Sequence, residues 1–154
     1  MSRAFVKEAD ETFSELPDRP ISSHPNLVTP EGLRAIDATV DRLQQEYAAL
    51  RVSGDRAAVA AIAREQRYWI SRKSSAQVVV AAPNPETVQF GCTVTILRDG
   101  GSEKKTYRIV GEDEADPAHG TISYVSPVAQ ALKGRKVQDV VQVGGADIEL
   151  IALA

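Results

Sequence analysis

Between Thr29 and Ser71 apolar residues recur at helical spacing on two consecutive segments, separated only by Val52-Ser53-Gly54-Asp55. In the first, Leu33, Ile36, Val40, Leu43, Tyr47 and Leu50 advance by alternating steps of three and four, which is a heptad seam. Arg34, Asp37, Asp41, Arg42 and Glu46 take the outer positions. Thr29 stands where a side-chain oxygen accepts from the free amides of a first turn, and Pro30 at the next position loses nothing by lacking an N–H. The second segment runs from about Asp55 to Ser71, with Ala58, Ile62, Glu65 and Trp69 along one seam and Ile70 beside it. Two amphipathic helices on so short a connection bury their seams by packing antiparallel. The spacing therefore predicts a helical hairpin, an antiparallel coiled coil over residues 29–74, about 25–33 Å long at ~1.5 Å per residue.

The flanking regions differ in kind. Residues 1–28 are polar and broken by Pro17, Pro20 and Pro25, so they read as an extended or disordered arm that Phe5, Phe13 and Leu16 could pin in places. From Gln77 onward the period changes to two or to short apolar runs: Val78–Val80, Val94–Leu97, Thr106–Val110, Val140–Val143 and Ile148–Leu153. Asp99-Gly100-Gly101 favours a hairpin turn. Ser126-Pro127 reads as cap and first position of a short helix that runs through Leu132 and closes at Gly134. Residues 75–154 are thus expected to form an α+β domain with one short helix.

The net charge of -3 offers no field that would draw the whole molecule onto nucleic acid. The lone Cys92 has no internal disulfide partner, reads as a small core residue, and no Cys/His pattern suggests a metal, so no metal and no cofactor are expected. No signal-peptide run and no segment of ~20 apolar residues is present, which points to the cytoplasm without membrane association.

The most specific stretch is Ile109-Val110-Gly111-Glu112-Asp113-Glu114-Ala115-Asp116, followed by Gly120-x-Ile122-Ser123, Ser126-Pro127 and Ala131-Leu132-x-Gly134. With Phe90-Gly91-x-Thr93-Val94 and Ser75-Ala76-Gln77-Val78, it closely resembles the C-terminal domain of the Gre-type transcription elongation factors. The resemblance covers residues 30–154, most strongly from 75 onward. It implies an FKBP-like antiparallel-sheet domain behind the coiled coil. It also implies binding to bacterial RNA polymerase at the rim of the secondary channel, which the coiled coil enters. Nucleic acid would then be met only through the polymerase.

Cleavage-competent members of that family carry two tip acids that help hold a second Mg²⁺ at the polymerase active site, a task for hard oxygen ligands. The tip here, Ser53-Gly54-Asp55-Arg56, has one carboxylate with a cation beside it, which opposes cation capture. In layout the chain is closer to the short-hairpin, Gre-related regulators of nucleoside diphosphate kinase. The expectation is a non-enzymatic polymerase-binding regulator. Its alternatives are a cleavage factor acting through Asp55 and an adaptor unrelated to polymerase.

The resemblance makes Ser126 and Pro127 contact residues for polymerase, with Glu112, Asp113, Glu114 and Asp116 near the same contact. From the residues alone, the acids read as a solvated loop, Asp55 as a helix cap, and Ser126 as a cap rather than a nucleophile, since only His24 and His119 offer imidazoles. Tyr68 and Trp69 read as packing residues, and prolyl isomerase activity ranks low for want of aromatics around a pocket.

Overall fold

The computed structural model describes residues 16–154, and the outer part of the expected arm, with Phe5 and Phe13, lies outside that range. Along the chain follow β1 (Leu27–Val28), α1 (Pro30–Ser53), α2 (Arg56–Ser75), β2 (Gln77–Val78), β3 (Thr93–Arg98), β4 (Lys105–Val110), β5 (Thr121–Ser123), α3 (Pro127–Leu132), β6 (Val140–Val143) and β7 (Ala146–Leu153). Two 3-10 turns, Glu112–Glu114 and Pro117–His119, lie between β4 and β5. The chain forms two compact units. One holds the described residues up to Ser23 with Arg34–Ser75, and the other holds His24–Leu33 with Ala76–Ala154.

The first unit is the helical hairpin. Ile36, Val40 and Leu43 are buried, which is the middle of the heptad seam. Asp37, early in α1, pairs with Lys73, late in α2, at 3.0 Å, a register that only antiparallel helices allow. The connection is Gly54 in the left-handed region (φ 74°) followed by Asp55, whose carboxylate accepts from Ala58 N at 3.0 Å. The second helix continues to Ser75, past the expected end at Ser71, and the extension includes the buried Arg72. Residues 16–23 run beside α2. Arg19 bonds Glu65 at 2.8 Å and covers the Tyr68 ring at 3.8 Å, and Asp18 pairs with Arg67. Tyr68 meets Trp69 edge to face at 5.1 Å.

The second unit is a five-stranded sheet of order β5-β4-β3-β7-β6. Period-two alternation sends Val94 and Ile96 of β3, and Ile148 and Leu150 of β7, to the buried face. The sheet is antiparallel except for β4 with β5, and the β3–β7 register shifts between Thr95 and Ile96. A parallel pair needs a crossover, and the 3-10 turns between β4 and β5 provide it. The helix α3 closes the buried face with Ala129 and Leu132, and Cys92 is 1% exposed in the interior. The Val78–Val80 run does not join this sheet. Only Gln77–Val78 is strand, paired in parallel with β1, and Val80 is 75% exposed. Its place is set by Pro25–Val28, which Gln77 N, Val79 N and the Tyr124 hydroxyl all engage by donating to main-chain carbonyls.

Candidate functional site

Ser126 leaves β5 with an extended backbone and its Oγ accepts from Ala129 N at 3.3 Å, while Pro127 opens α3. That geometry follows from the Ser-Pro step. The hydroxyl takes one orphan amide, and the ring occupies a position where no N–H is needed. The serine oxygen is thereby directed at its own helix, and His119 bonds Asp116 at 2.6 Å, so no serine–histidine pair exists here.

Ser126 and Pro127 border a cavity of about 630 Å³ within the second unit. Its lining is largely apolar, with Ile96, Tyr107, Ile122, Val128, Val143 and Ile148. Its polar lining comes from Arg98 at the end of β3, Asp99, Ser102 and Glu103 of the β3–β4 connection and Lys105 at the start of β4, and Pro117 also lines it. Asp99 and Gly100, both at positive φ, turn that connection back over the sheet. A largely apolar lining with a few charged groups suits the apolar side chains of a protein segment. Of Phe90, Tyr107 and Tyr124, the aromatics of residues 75–154, only Tyr107 lines the cavity. Phe90 and Tyr124 pack on each other at 5.7 Å.

The four loop acids do not act as a group. Glu112 and Asp113 are half-buried in the first 3-10 turn, and Asp116 is exposed beside His119. Glu114 turns inward: its carboxylate accepts from Thr29 N at 3.0 Å, Gly111 N at 3.0 Å and the Thr29 hydroxyl. The same hydroxyl accepts from Gly32 N at 3.0 Å and so caps α1. Nearby, Glu31 approaches Arg108 at 3.4 Å. A backbone hydrogen bond holds the Glu31 carboxyl below its ordinary value, with Arg108 and Thr29 adding and desolvation opposing. Among the described residues no three His, Cys, Asp or Glu side chains converge as a metal site, and no helix is long and apolar enough to cross a membrane.

Sequence reasoning identified Thr29 and Ser126 as caps because their signals are local. It missed the Thr29–Glu114 pairing and the part that residues 98–105 play in the cavity. Partners 85 positions apart leave no trace in spacing.

The tip places Ser53 Oγ on Leu50 O at 2.7 Å and Asp55 on Ala58 N, with Arg56 exposed next to it. Ser53 and Asp55 thus each serve a helix end.

A model of the family described as "Transcription elongation factor, GreA/GreB, C-term" matches residues 82–150. The transcription elongation factor GreA of Beijerinckia indica is 36% identical over 82% of this chain and 96% of its own length. That of Legionella pneumophila strain Lens is 37% identical over 80% of this chain and 88% of its own. The GreA factor homolog 1 of Thermus thermophilus, a solved structure, aligns at 18% identity over 85% of this chain and 99% of that one. Its TM-score is 0.41, a likeness too slight to argue from.

These relatives correct one expectation. The non-enzymatic expectation rested on the tip and on the short-hairpin layout, yet the matched proteins carry the name of GreA, whose class the resemblance ties to RNA cleavage by the polymerase. The non-enzymatic expectation is therefore withdrawn. Spanning nearly the whole length of such relatives, the chain belongs to the GreA/GreB family of transcription elongation factors.

Proposed function

We propose that the protein regulates transcription elongation by docking its sheet domain on bacterial RNA polymerase in the cytoplasm, at the rim of the secondary channel, which the helical hairpin enters. The observation that carries this reading is the apolar cavity bordered by Ser126 and Pro127, inside the segment that matches the family. A protruding apolar segment of the partner fills the cavity, where Ser126 and Pro127 meet it. Glu112, Asp113 and Asp116 lie on the neighbouring loop, and Glu114 supports that loop from inside. Coupling purified core polymerase to a support and measuring retention of the protein tests the docking. No retention at micromolar concentration, with an intact fold, rules it out.

For the tip, we propose that Ser53, Gly54, Asp55 and Arg56 contribute little to RNA hydrolysis. The single carboxylate already caps α2, and the neighbouring guanidinium disfavours a divalent cation. A second reading, full stimulation of cleavage through Asp55, is favoured by the similarity to GreA proteins along most of the chain. Backtracked elongation complexes separate the two. Rapid shortening of the RNA 3′ end that Asp55→Ala abolishes supports the second reading, and its absence supports the first.

A further inference from the structure

We infer that the open edge of β2, at Val78–Val80, docks a second copy of this chain, the two copies pairing antiparallel along it.

The edge lies wholly within the second unit. β2 forms a two-stranded sheet with β1, and among the described residues no strand runs along its other side. Gln77 N donates to Asn26 O at 2.8 Å, and Val79 N donates to Val28 O at 2.9 Å. Main-chain groups alternate sides along an extended run, so those of Val78 and Val80 are turned away from β1. Side chains alternate as well, which puts Val78 and Val80 on one face, 46% and 75% exposed. An open row of donors and acceptors beside two bare valines is a template for another strand.

Proteins blunt such edges with charge or with a covering loop. The five-stranded sheet follows that rule. Asp116 bridges to Thr121 along β5. At the β6 edge, Lys136 and Asp139 precede the strand, and Asp147 and Glu149 stand beside it on β7. The β2 edge carries no such guard, since no residue from Ser74 to Pro85 is charged. With its side chain so exposed, Val80 adds little to the packing of its own protomer.

The same features select the occupant. An uncharged edge gives no hold to a charged partner segment. The run Val78-Val79-Val80 reads alike in both directions, and an isologous, two-fold contact needs a surface that complements itself. Pairing about Val79 sets Val78 of each copy opposite Val80 of the other, and each such pair exchanges both its N–H···O bonds. The exposed valines then cover one another, and the β1–β2 sheet, marginal by itself, doubles in width. So short an edge buries little area, so the dimer is weak and reversible. The inference stands apart from the docking reading, because neither Val78 nor Val80 lines the cavity.

Sedimentation velocity of the full chain, from micromolar to submillimolar concentration, tests it. The expected result is a reversible rise from the monomer mass toward twice that mass. Val80→Lys changes an exposed side chain, so the fold should survive, which circular dichroism checks. It should weaken dimerisation by about tenfold or more. Val79→Cys tests the register. It places two thiols across the axis at a non-hydrogen-bonded pair, whose Cα atoms stand about 4.5 Å apart, within disulfide reach. Under mild oxidation it should form a disulfide dimer much faster than Val140→Cys, at an exposed valine on the β6 edge, while Cys92 stays buried.

A monomer mass at every concentration overturns the inference and leaves the edge to a chain of another kind. A dimer that Val80→Lys does not weaken, or Val79→Cys cross-linking no faster than Val140→Cys, overturns it as well.

Discussion

Gly32→Ala reverses a familiar sign. Gly32 is the third residue of α1, and within a helix alanine is better than glycine by about 0.8–1 kcal/mol. An ordinary site would therefore gain stability. Here the new methyl would stand 2.1 Å from Glu114 Cδ. The side chain can swing away, so the steric cost is small. What is lost is its seat: Thr29 N, the Thr29 hydroxyl and Gly111 N all lose a charged acceptor. Hydrogen bonds to charged groups are worth roughly 1.5–3 kcal/mol each. Glu114 is half-buried and water recovers part of the loss, so about 2–4 kcal/mol is the expected total. After the propensity gain, the net destabilisation is about 1–3 kcal/mol, or roughly 2–10 °C in Tm for a chain of this size. Urea unfolding followed by circular dichroism measures it. The decisive control is a double-mutant cycle: with Glu114→Ala already present, Gly32→Ala should turn neutral or stabilising by up to about 1 kcal/mol. A Gly32→Ala variant as stable as the parent, or an identical effect in both backgrounds, refutes the reasoning.

Asp55→Ala removes the cap on Ala58 N and should destabilise the hairpin by about 1 kcal/mol, seen as earlier loss of helical signal in urea. Pro127→Arg puts a bulky cation at an exposed cavity edge. It should lower polymerase affinity about tenfold or more with little change in Tm, and equal affinity by surface plasmon resonance counts against the docking site. Leu150→Ala opens the fully buried sheet core and should cost about 2–5 kcal/mol, read from urea midpoints. The Glu31 carboxyl titrates below its ordinary value, so its contribution to stability is present above the unfolded-state pKa and is lost as pH falls through the lower folded one. Arg108→Gln should raise that folded pKa, a shift measurable by carboxyl NMR, and an unmoved titration removes Arg108 as a cause.

The elements most legible in the sequence were those whose physics is local. The helical hairpin followed from heptad spacing, and its start from Thr29-Pro30. The short helix followed from Ser126-Pro127, because capping is settled within four residues. The strands β3, β4, β6 and β7 were legible from periodicity and from the Asp99-Gly100-Gly101 turn. Val78–Val80 misled for the same reason. Three valines in a row signal strand propensity but do not say which partner is available, and here the partner is a two-residue strand next to Pro25. Glu112, Asp113, Glu114 and Asp116 looked alike as a run of acids, and the structure gives them different surroundings.

By itself the sequence determined the three helices and the strands β3, β4, β6 and β7, their order and, through the pattern from Ile109 to Gly134, the resemblance to the family. Only the tertiary structure decided what surrounds Glu114 and what lines the cavity beside Ser126. Periodicity and capping act over a few residues, whereas Thr29 meets Glu114 across 85 positions, and Ile96, Ile122 and Ile148 face one cavity from three different strands. Such encounters depend on how strands pair and where a crossover runs, and no spacing rule along the chain encodes them.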